Sequence, residues 1–347
     1  MTVVGARTEA SAARPLVTLV ILAYNQERFV AEAIRGALAQ TWQPLEILVS
    51  DDASTDATFE VARSEVATYG GPHQVSLRRN PFNLGFIPHL NALAAAAQGE
   101  LIVIAAADDV CLPQRVERLA EAWLAAGKPM ACLWSNVVTI DAASRRGATL
   151  LPPGGASART AEGIVRDARG IIGCSEACCR RLFDVFGPLP AAAFQEDVAL
   201  SFRAVMAGGI FYVDEPLVLY RRHPESMTAV PGAPSTGAAR AWFRGWARNL
   251  IRLNQGFERD LGTAVARGLV TAPRAAHLAR LIEGRRREVH AEYLMHGGAS
   301  ALRKLCITAR ALARGTRWRR AGRWVLMALS MQTYLAVLRR SGGIRSP

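Results

Sequence analysis
The sequence predicts an α/β fold: a mostly parallel sheet with helices on both faces. Short apolar runs alternate with helical patterns through the first half of the chain, which is how βαβ units read. One run, residues 101–107, holds seven apolar residues without a break, as suits a strand buried on both faces. Acids stand in pairs where strands should end, at Asp51-Asp52 and Asp108-Asp109, and in such sheets ligands sit beyond the carboxyl ends of the strands.

In chain order, residues 16–23 read as a strand. Residues 27–39 read as a helix with Phe29, Val30, Ala33, Ile34 and Ala37 on one side. A second strand is expected at 45–50 and a second helix at 56–67, with Ser54 or Thr55 as its N-cap. A third strand at 75–79 leads into the loop Asn80-Pro81-Phe82-Asn83-Leu84-Gly85. Residues 88–97 are helical and close at Gly99. The 101–107 strand follows, then a helix at 113–126 and a strand at 130–139.

The chain of 347 residues is half hydrophobic and carries a formal charge of +13. That charge is uneven. Residues 1–230 hold 20 Lys and Arg against 24 Asp and Glu, a net of −4, whereas residues 231–347 hold 22 against 5, a net of +17. The basicity therefore belongs to the last third. Residues 1–14 read as a loose leader. The apolar run 15–23 follows two arginines as in a signal peptide, but Tyr24-Asn25-Gln26-Glu27-Arg28 follows it directly, with no small-x-small cleavage site. A run of nine is also too short to span a bilayer. The six cysteines form no Cys-x-x-Cys pair and have no nearby His to complete a zinc site, so they are expected to be small buried residues in a reducing compartment.

The strand ends carry the chemistry. Strand one ends in Tyr24-Asn25, strand two in Asp51-Asp52, and the 101–107 strand in Asp108-Asp109. An aromatic face stacks on a base, and a carboxylate accepts hydrogen bonds from a base N–H or ribose hydroxyls. Adjacent acids hold a hard cation against phosphates. Taken alone, Asp108-Asp109 reads equally well as a solvated helix cap, and Glu196-Asp197 as acids favoured at a helix start. No G-x-G-x-x-G and no G-x-x-x-x-G-K-[ST] occurs, which counts against a Rossmann dehydrogenase or a P-loop enzyme. Gly173-Cys-Ser-Glu-Ala177 lacks the last glycine of a nucleophile elbow, and Tyr24-Asn25-Gln26-Glu27 is not the Gly-rich basic loop of a nucleotidyltransferase.

Val-Thr-Leu-Val-Ile-Leu-Ala-Tyr-Asn (17–25), Gln40-Thr41 and Glu46-Ile-Leu-Val-Ser-Asp-Asp-Ala-Ser-Thr-Asp56 resemble the opening of the inverting family-2 glycosyltransferases of GT-A fold. Asn83-Leu-Gly85, Asn91, Gly99-Glu100, Glu196-Asp197-x-x-Leu200-x-x-Arg203 and Tyr220-Arg-Arg-His223 also resemble family positions, and Asp108-Asp109 falls where the metal-binding D-x-D motif falls. The resemblance covers about residues 15–230 and implies a metal-dependent, inverting transfer of a sugar from a nucleotide-diphosphate donor, a UDP-sugar, to a glycan or lipid-linked acceptor. It implies that Asp52 bonds the nucleobase, with Leu22, Ala23 and Tyr24 flanking it and Asn25 and Asp51 beside them. It further implies that Asp109 ligates Mn²⁺ or Mg²⁺, that Asp108 assists through ribose or metal-bound water, and that Asp197 is the general base. Ala107 stands where a fuller motif has an acid, which leaves the division of labour between Asp108 and Asp109 open. His223 reads either as a further metal ligand or as a surface histidine. One of Arg221 and Arg222 is expected on the diphosphate and the other in solvent.

Residues 231–236 read as a linker and 231–347 as a basic helical extension, with helices at 238–256, 262–270, 273–295, 299–314 and 318–340. No nucleic-acid module leaves a signature there. Trp324, Met327, Met331, Leu335 and Leu338 form one stripe flanked by arginines. Two readings stand for it: a helix lying on an anionic membrane at the cytoplasmic face, or one packed on the catalytic part or in a homodimer. The competing function is a glycosyltransferase-like protein acting mainly through this extension.

Overall fold
The structure is a computed structural model that describes residues 14–150, 159–191, 195–226, 236–296 and 304–309. The elements run β1 (Val17–Ala23), α1 (Val30–Leu38), β2 (Leu45–Asp51), α2 (Thr58–Ala67), β3 (Gln74–Arg79), α3 (Phe86–Ala96), β4 (Leu101–Ala106), β5 (Val110–Cys111), α4 (Arg115–Ala125), β6 (Cys132–Ile140) and β7 (Arg146–Leu150). Then come α5 (Ala161–Asp167), β8 (Ala177–Cys179), α6 (Arg181–Phe186), α7 (Glu196–Ala207), β9 (Ile210–Arg221), α8 (Thr236–Ala266) and α9 (Ala272–Met295). The leader up to residue 13, most of the expected linker and the 318–340 stripe lie outside the described residues.

The described strands make one sheet in the order β3-β2-β1-β4-β8-β6-β9-β5, with β7 on β6. β3, β2, β1 and β4 are parallel. The three-residue β8 runs antiparallel between β4 and β6, and β6 pairs parallel with β9. The unbroken apolar run of β4 now has its reason. Leu101, Val103 and Ala105 face one core, shared with α1, α2 and α4. Ile102 and Ile104 face the other, shared with α3 and α5 to α9. α1 buries Val30, Ala33, Ile34 and Ala37, and α4 buries Val116, Leu119, Ala120 and Trp123, each a stripe at helical spacing.

Several motif residues hold this frame together. Gln40 Nε2 donates to the carbonyls of Gly36 and Leu112, and its Oε1 accepts from Val116 N–H, which ties α1 to the start of α4. Asn91 exchanges two hydrogen bonds with the backbone of Leu189. A Cβ on Gly99 would lie 2.4 Å from Thr18 N, so only glycine fits that close approach.

Two expectations change. α2 is not capped by Ser54 or Thr55: Asp56 Oδ1 accepts from Thr58 N–H, and Asp56 and Glu27 exchange bonds with each other's segments, while Ser54 turns back to Asp51. The expected break between residues 256 and 262 is absent, and α8 runs straight through Gly256 and Gly262. Its buried row of Leu250, Leu253, Phe257, Leu261 and Ala264 continues across both glycines, so packing outweighs their helix cost of about 1 kcal/mol each. Cys111, Cys132, Cys178 and Cys179 are buried free thiols and Cys174 is partly buried, whereas Cys306 is exposed. Burial pushes the thiols of Cys132 and Cys178 well up, which makes them inert.

Candidate active site
The parallel register brings the predicted strand ends together. Ala23 lies opposite Asp51, and Leu22 opposite Ala106. Asp52 N–H donates to Ala23 O at 2.8 Å and Ala107 N–H to Leu22 O at 3.0 Å, so the chain leaves three neighbouring strands on one edge. Tyr24 projects there, 44% exposed, free to offer a ring face. Asn25 adopts a left-handed φ of 52°, which Asn tolerates. It fixes the next turn by accepting from Thr55 N–H at 2.9 Å and donating its own N–H to Ser54 Oγ.

The two acids of β2 divide. Asp51 is buried and structural: it accepts from Ser54 N–H and pairs with Arg79 Nε at 3.2 Å. Asp52 is also buried, and it anchors the loop after β3. Its Oδ1 accepts from Asn80 Nδ2 (2.7 Å) and Leu84 N–H (2.9 Å), and its Oδ2 from Gly85 N–H (2.9 Å). A carboxylate has about four lone-pair sites, so Oδ2 keeps capacity for one more donor. Next to it His89 is buried against Ser50 Oγ at 2.7 Å, and burial lowers its pKa, so it stays neutral.

Beyond β4, Asp109 is 4% exposed and accepts from Arg221 N–H at 2.7 Å. Burial, and then the charge of Asp108, push its carboxyl well above the ordinary range. His223 Nε2 stands 3.2 Å from Asp108 Oδ2, and its ring lies 4.9 Å from Phe29. His223 is thus not a surface residue; it is buried beside the acids. Among the described residues no three His, Cys, Asp or Glu side chains form a ready-made metal cage. The residues present nevertheless fit a hard cation. Two adjacent carboxylates, one of them desolvated, are the set that Mg²⁺-type ions use when substrate phosphates complete the sphere, and a cation removes their repulsion.

Arg221 departs from expectation. It is 1% exposed, and its guanidinium is taken by Asp108 O, Asp141 O, Ser144 Oγ and Glu32. β9 turns this side chain inward, so it braces the site and is not free to meet a diphosphate; the neighbouring Arg222 is the exposed one.

Asp197 opens α7 beside Glu196. The Gly173–Ser175 turn joins this pair to the strand-end acids. A Cβ on Gly173 would lie 2.8 Å from Glu196 Oε1 and 3.5 Å from Asp197 Cβ, while the thiol of Cys174 is raised by burial and then by the charge of Asp109. Both acids of the pair keep a partly exposed side, yet the protein around them is dense. Desolvation lifts Asp197 to about 6, and desolvation with the Asp197 charge lifts Glu196 to about 8. Near neutral pH Glu196 is therefore protonated and Asp197 largely ionised, which is what a general base requires. Behind them Glu176 is fully buried, and burial, then the charges of Glu196 and Asp197, push its carboxyl well above the ordinary range.

Sequence reasoning passed over Arg115 and Glu176. Arg115 is 0% exposed and donates to Ile104 O (2.8 Å), Glu176 O (3.2 Å) and Cys111 Sγ (3.0 Å), under the Asp109 turn. The signal was an arginine inside the apolar stripe of α4. For Glu176 it was an acid entering an apolar strand.

Residues 18–186 match the family model Glycosyl transferase family 2. The chain is 31% identical over 138 residues to "Putative glycosyltransferase EpsE" of Bacillus subtilis, a match covering 40% of this chain and 49% of that protein. It is 37% identical over 132 residues to "Succinoglycan biosynthesis protein ExoO" of Rhizobium meliloti, covering 38% and 36%. The chain thus spans half or less of these relatives. Among solved structures, S. aureus TarS 1–349 in complex with UDP-GlcNAc superposes with a TM-score of 0.54 at 15% identity, covering 94% of this chain and 92% of that one. Mannosyltransferase PcManGT from Pyrobaculum calidifontis, in complex with GDP-Man and Mn²⁺, superposes with a TM-score of 0.53 at 18% identity, covering 95% and 88%. These likenesses establish the GT-A fold.

Proposed function
On the premise that this chain carries a family 2 glycosyltransferase domain of GT-A fold, we propose that it moves a sugar, with inversion, from a nucleoside-diphosphate donor to a hydroxyl of a glycan or lipid-linked acceptor in polysaccharide synthesis. The observation that supports the reading is the Gly173–Ser175 turn, whose first residue lies against Glu196 and Asp197 and whose Cys174 thiol feels the charge of Asp109. In the reaction, the Asp197 carboxylate takes the proton of the acceptor hydroxyl as that oxygen bonds to the anomeric carbon. The bond from that carbon to the diphosphate oxygen breaks on the opposite face, and the oxygen leaves with the electron pair. Asp109 and Asp108, with His223 beside them, would hold Mn²⁺ or Mg²⁺, which supplies Lewis-acid stabilisation of the leaving diphosphate. Tyr24, Leu22 and Ala23 flank the base, and the remaining acceptor capacity of Asp52 suits the N–H of uracil. A UDP-sugar is therefore the proposed donor. One sequence relative named for succinoglycan biosynthesis and a structural neighbour in complex with UDP-GlcNAc support the assignment.

The test is a panel of UDP- and GDP-sugars with the full chain, scored for release of free nucleoside diphosphate with Mn²⁺ and with EDTA. Release of UDP that stops in EDTA is the expected result. Full release in EDTA overturns the metal role, and release of GDP alone overturns the uracil assignment.

Residues 15–230 are proposed as the catalytic unit and 231–347 as its basic extension. No helix among the described residues is long and apolar enough to cross a membrane. We assign the arginine-flanked stripe of residues 316–347 to an anionic membrane surface, where each basic residue contributes about 1 kcal/mol. Co-sedimentation with phosphatidylglycerol vesicles should fall with salt and vanish on deleting 316–347. Absence of binding at low salt would assign the stripe to packing within the protein or between copies.

A further inference from the structure
Arg221 is the most heavily engaged side chain near the acids, and its partners come from three separate segments. Nε donates to Asp108 O at 2.8 Å, Nη1 to Asp141 O (3.0 Å) and Ser144 Oγ (2.9 Å), and Nη2 to Glu32 Oε2 (2.9 Å) on α1. Its own backbone N–H holds Asp109 Oδ1. Ser144 Oγ donates to the same Glu32 oxygen at 2.8 Å, closing a ring of three. The guanidinium also lies over the Phe29 ring at 4.6 Å, and Phe29 in turn touches His223.

The arrangement has a direction. Arg221 bonds the carbonyl oxygen of Asp108 and not its carboxylate, so the side chain is oriented without being consumed. Glu32 answers the buried positive charge, which would otherwise compete with a cation for the same acids. Burial acts to raise the Glu32 carboxyl, but the bonds from Ser144 and Arg221 outweigh it and hold it lowered. Ser144 sits at a left-handed φ of 60°, a conformation that a non-glycine residue keeps only where its surroundings fix it.

We propose that Glu32, Ser144 and Arg221 form a positioning clamp that holds the Asp108–Asp109 turn in the geometry a divalent cation needs; the proposal rests on the glycosyltransferase reading above. The guanidinium of Arg221 is filled by protein groups, and none of the three is among the residues assigned to donor or acceptor, so they are positioning residues. Groups that orient metal-binding side chains commonly cost about 10- to 100-fold in metal affinity when removed.

The experiment measures Mn²⁺ affinity by calorimetry on the full chain with UDP bound, for wild type, Glu32→Gln and Ser144→Ala. Glu32 is 43% exposed, so Glu32→Gln keeps the shape and removes only the charge. We expect about a 10-fold or greater rise in Mn²⁺ Kd, with UDP affinity in EDTA unchanged. kcat should return to near the wild-type value at saturating Mn²⁺, and Glu32→Asp should recover part of the affinity. Mn²⁺ affinity equal to wild type in both variants overturns the clamp while leaving the glycosyltransferase reading intact. A parallel loss of Tm and of metal-free UDP affinity also overturns it, since that is what a mere fold strut would give. A wild-type chain that binds no Mn²⁺ overturns the clamp and the metal reading together.

Discussion

Replacing Asp197 by Asn is expected to lower kcat by at least about 10²-fold, the low end for loss of a general base, with donor and Mn²⁺ affinity unchanged. The substitution keeps the size and the hydrogen bond that Asp197 Oδ1 accepts from Val198 N–H, so the fold should not register it. The pH profile supplies an independent check. Desolvation raises Asp197 to about 6, and the base works only when ionised. In wild type kcat should be level above that value and fall about tenfold per pH unit below it. Asp109→Ala should silence transfer by another route, losing Mn²⁺ affinity and weakening nucleotide binding. Unchanged kcat with a raised KM in Asp197→Asn would assign the residue to acceptor binding instead.

The same pair has a stability consequence whose sign can be stated. Glu196 titrates near 8 in the fold against an ordinary 4.5, so between those values the folded chain holds a proton that the unfolded chain has lost. Stability contributed by this group is therefore present at low pH and declines as pH rises toward 8. A site that keeps one carboxyl neutral and its neighbour charged trades stability for function.

How much of this was legible in the sequence depends on the range of the interaction. The β4 run announced its double burial because both its faces meet apolar cores, and the strand-end acids followed from parallel topology. What stayed hidden were pairings across long separations. Asp51 and Asp52 look equivalent in sequence, yet one is consumed by Ser54 and Arg79 while the other anchors the loop after β3. Arg221 and Arg222 look interchangeable too; strand alternation turns one inward to Glu32, 189 residues away. α8 was read as two helices because its glycines were weighed by local propensity, and the core it shares with α7 is invisible locally. β8 was missed because three residues form no periodicity.

That shared core leads to the second large effect. Arg203, the last residue of the Glu196-Asp197-x-x-Leu200-x-x-Arg203 motif, turns away to α8. It is fully buried, pairs with Asp260 of α8 through Nε at 2.8 Å and Nη2 at 3.2 Å, and donates to the carbonyls of Gly187 (2.8 Å) and Pro188 (3.4 Å). Leu253, Phe257 and Leu261 flank the pair in the same core as α7, and Phe202 meets Phe257 at 4.4 Å. Asp260→Ala would leave the guanidinium buried without its counter-charge, so it should cost about 3–5 kcal/mol of unfolding free energy. Replacing both partners together, Arg203→Met with Asp260→Leu, should cost far less, because the penalty lies in the uncompensated charge and not in the absence of the pair. Denaturant titration of wild type and the two variants reads this directly. A loss below about 1 kcal/mol for Asp260→Ala, the level of an exposed ion pair, would show that α8 is not anchored this way. Because Arg203 lies two turns along the helix that begins with Glu196 and Asp197, the Asp260 variant should also lose transfer activity before it unfolds: α8 holds α7, and with it the proposed base Asp197, from behind.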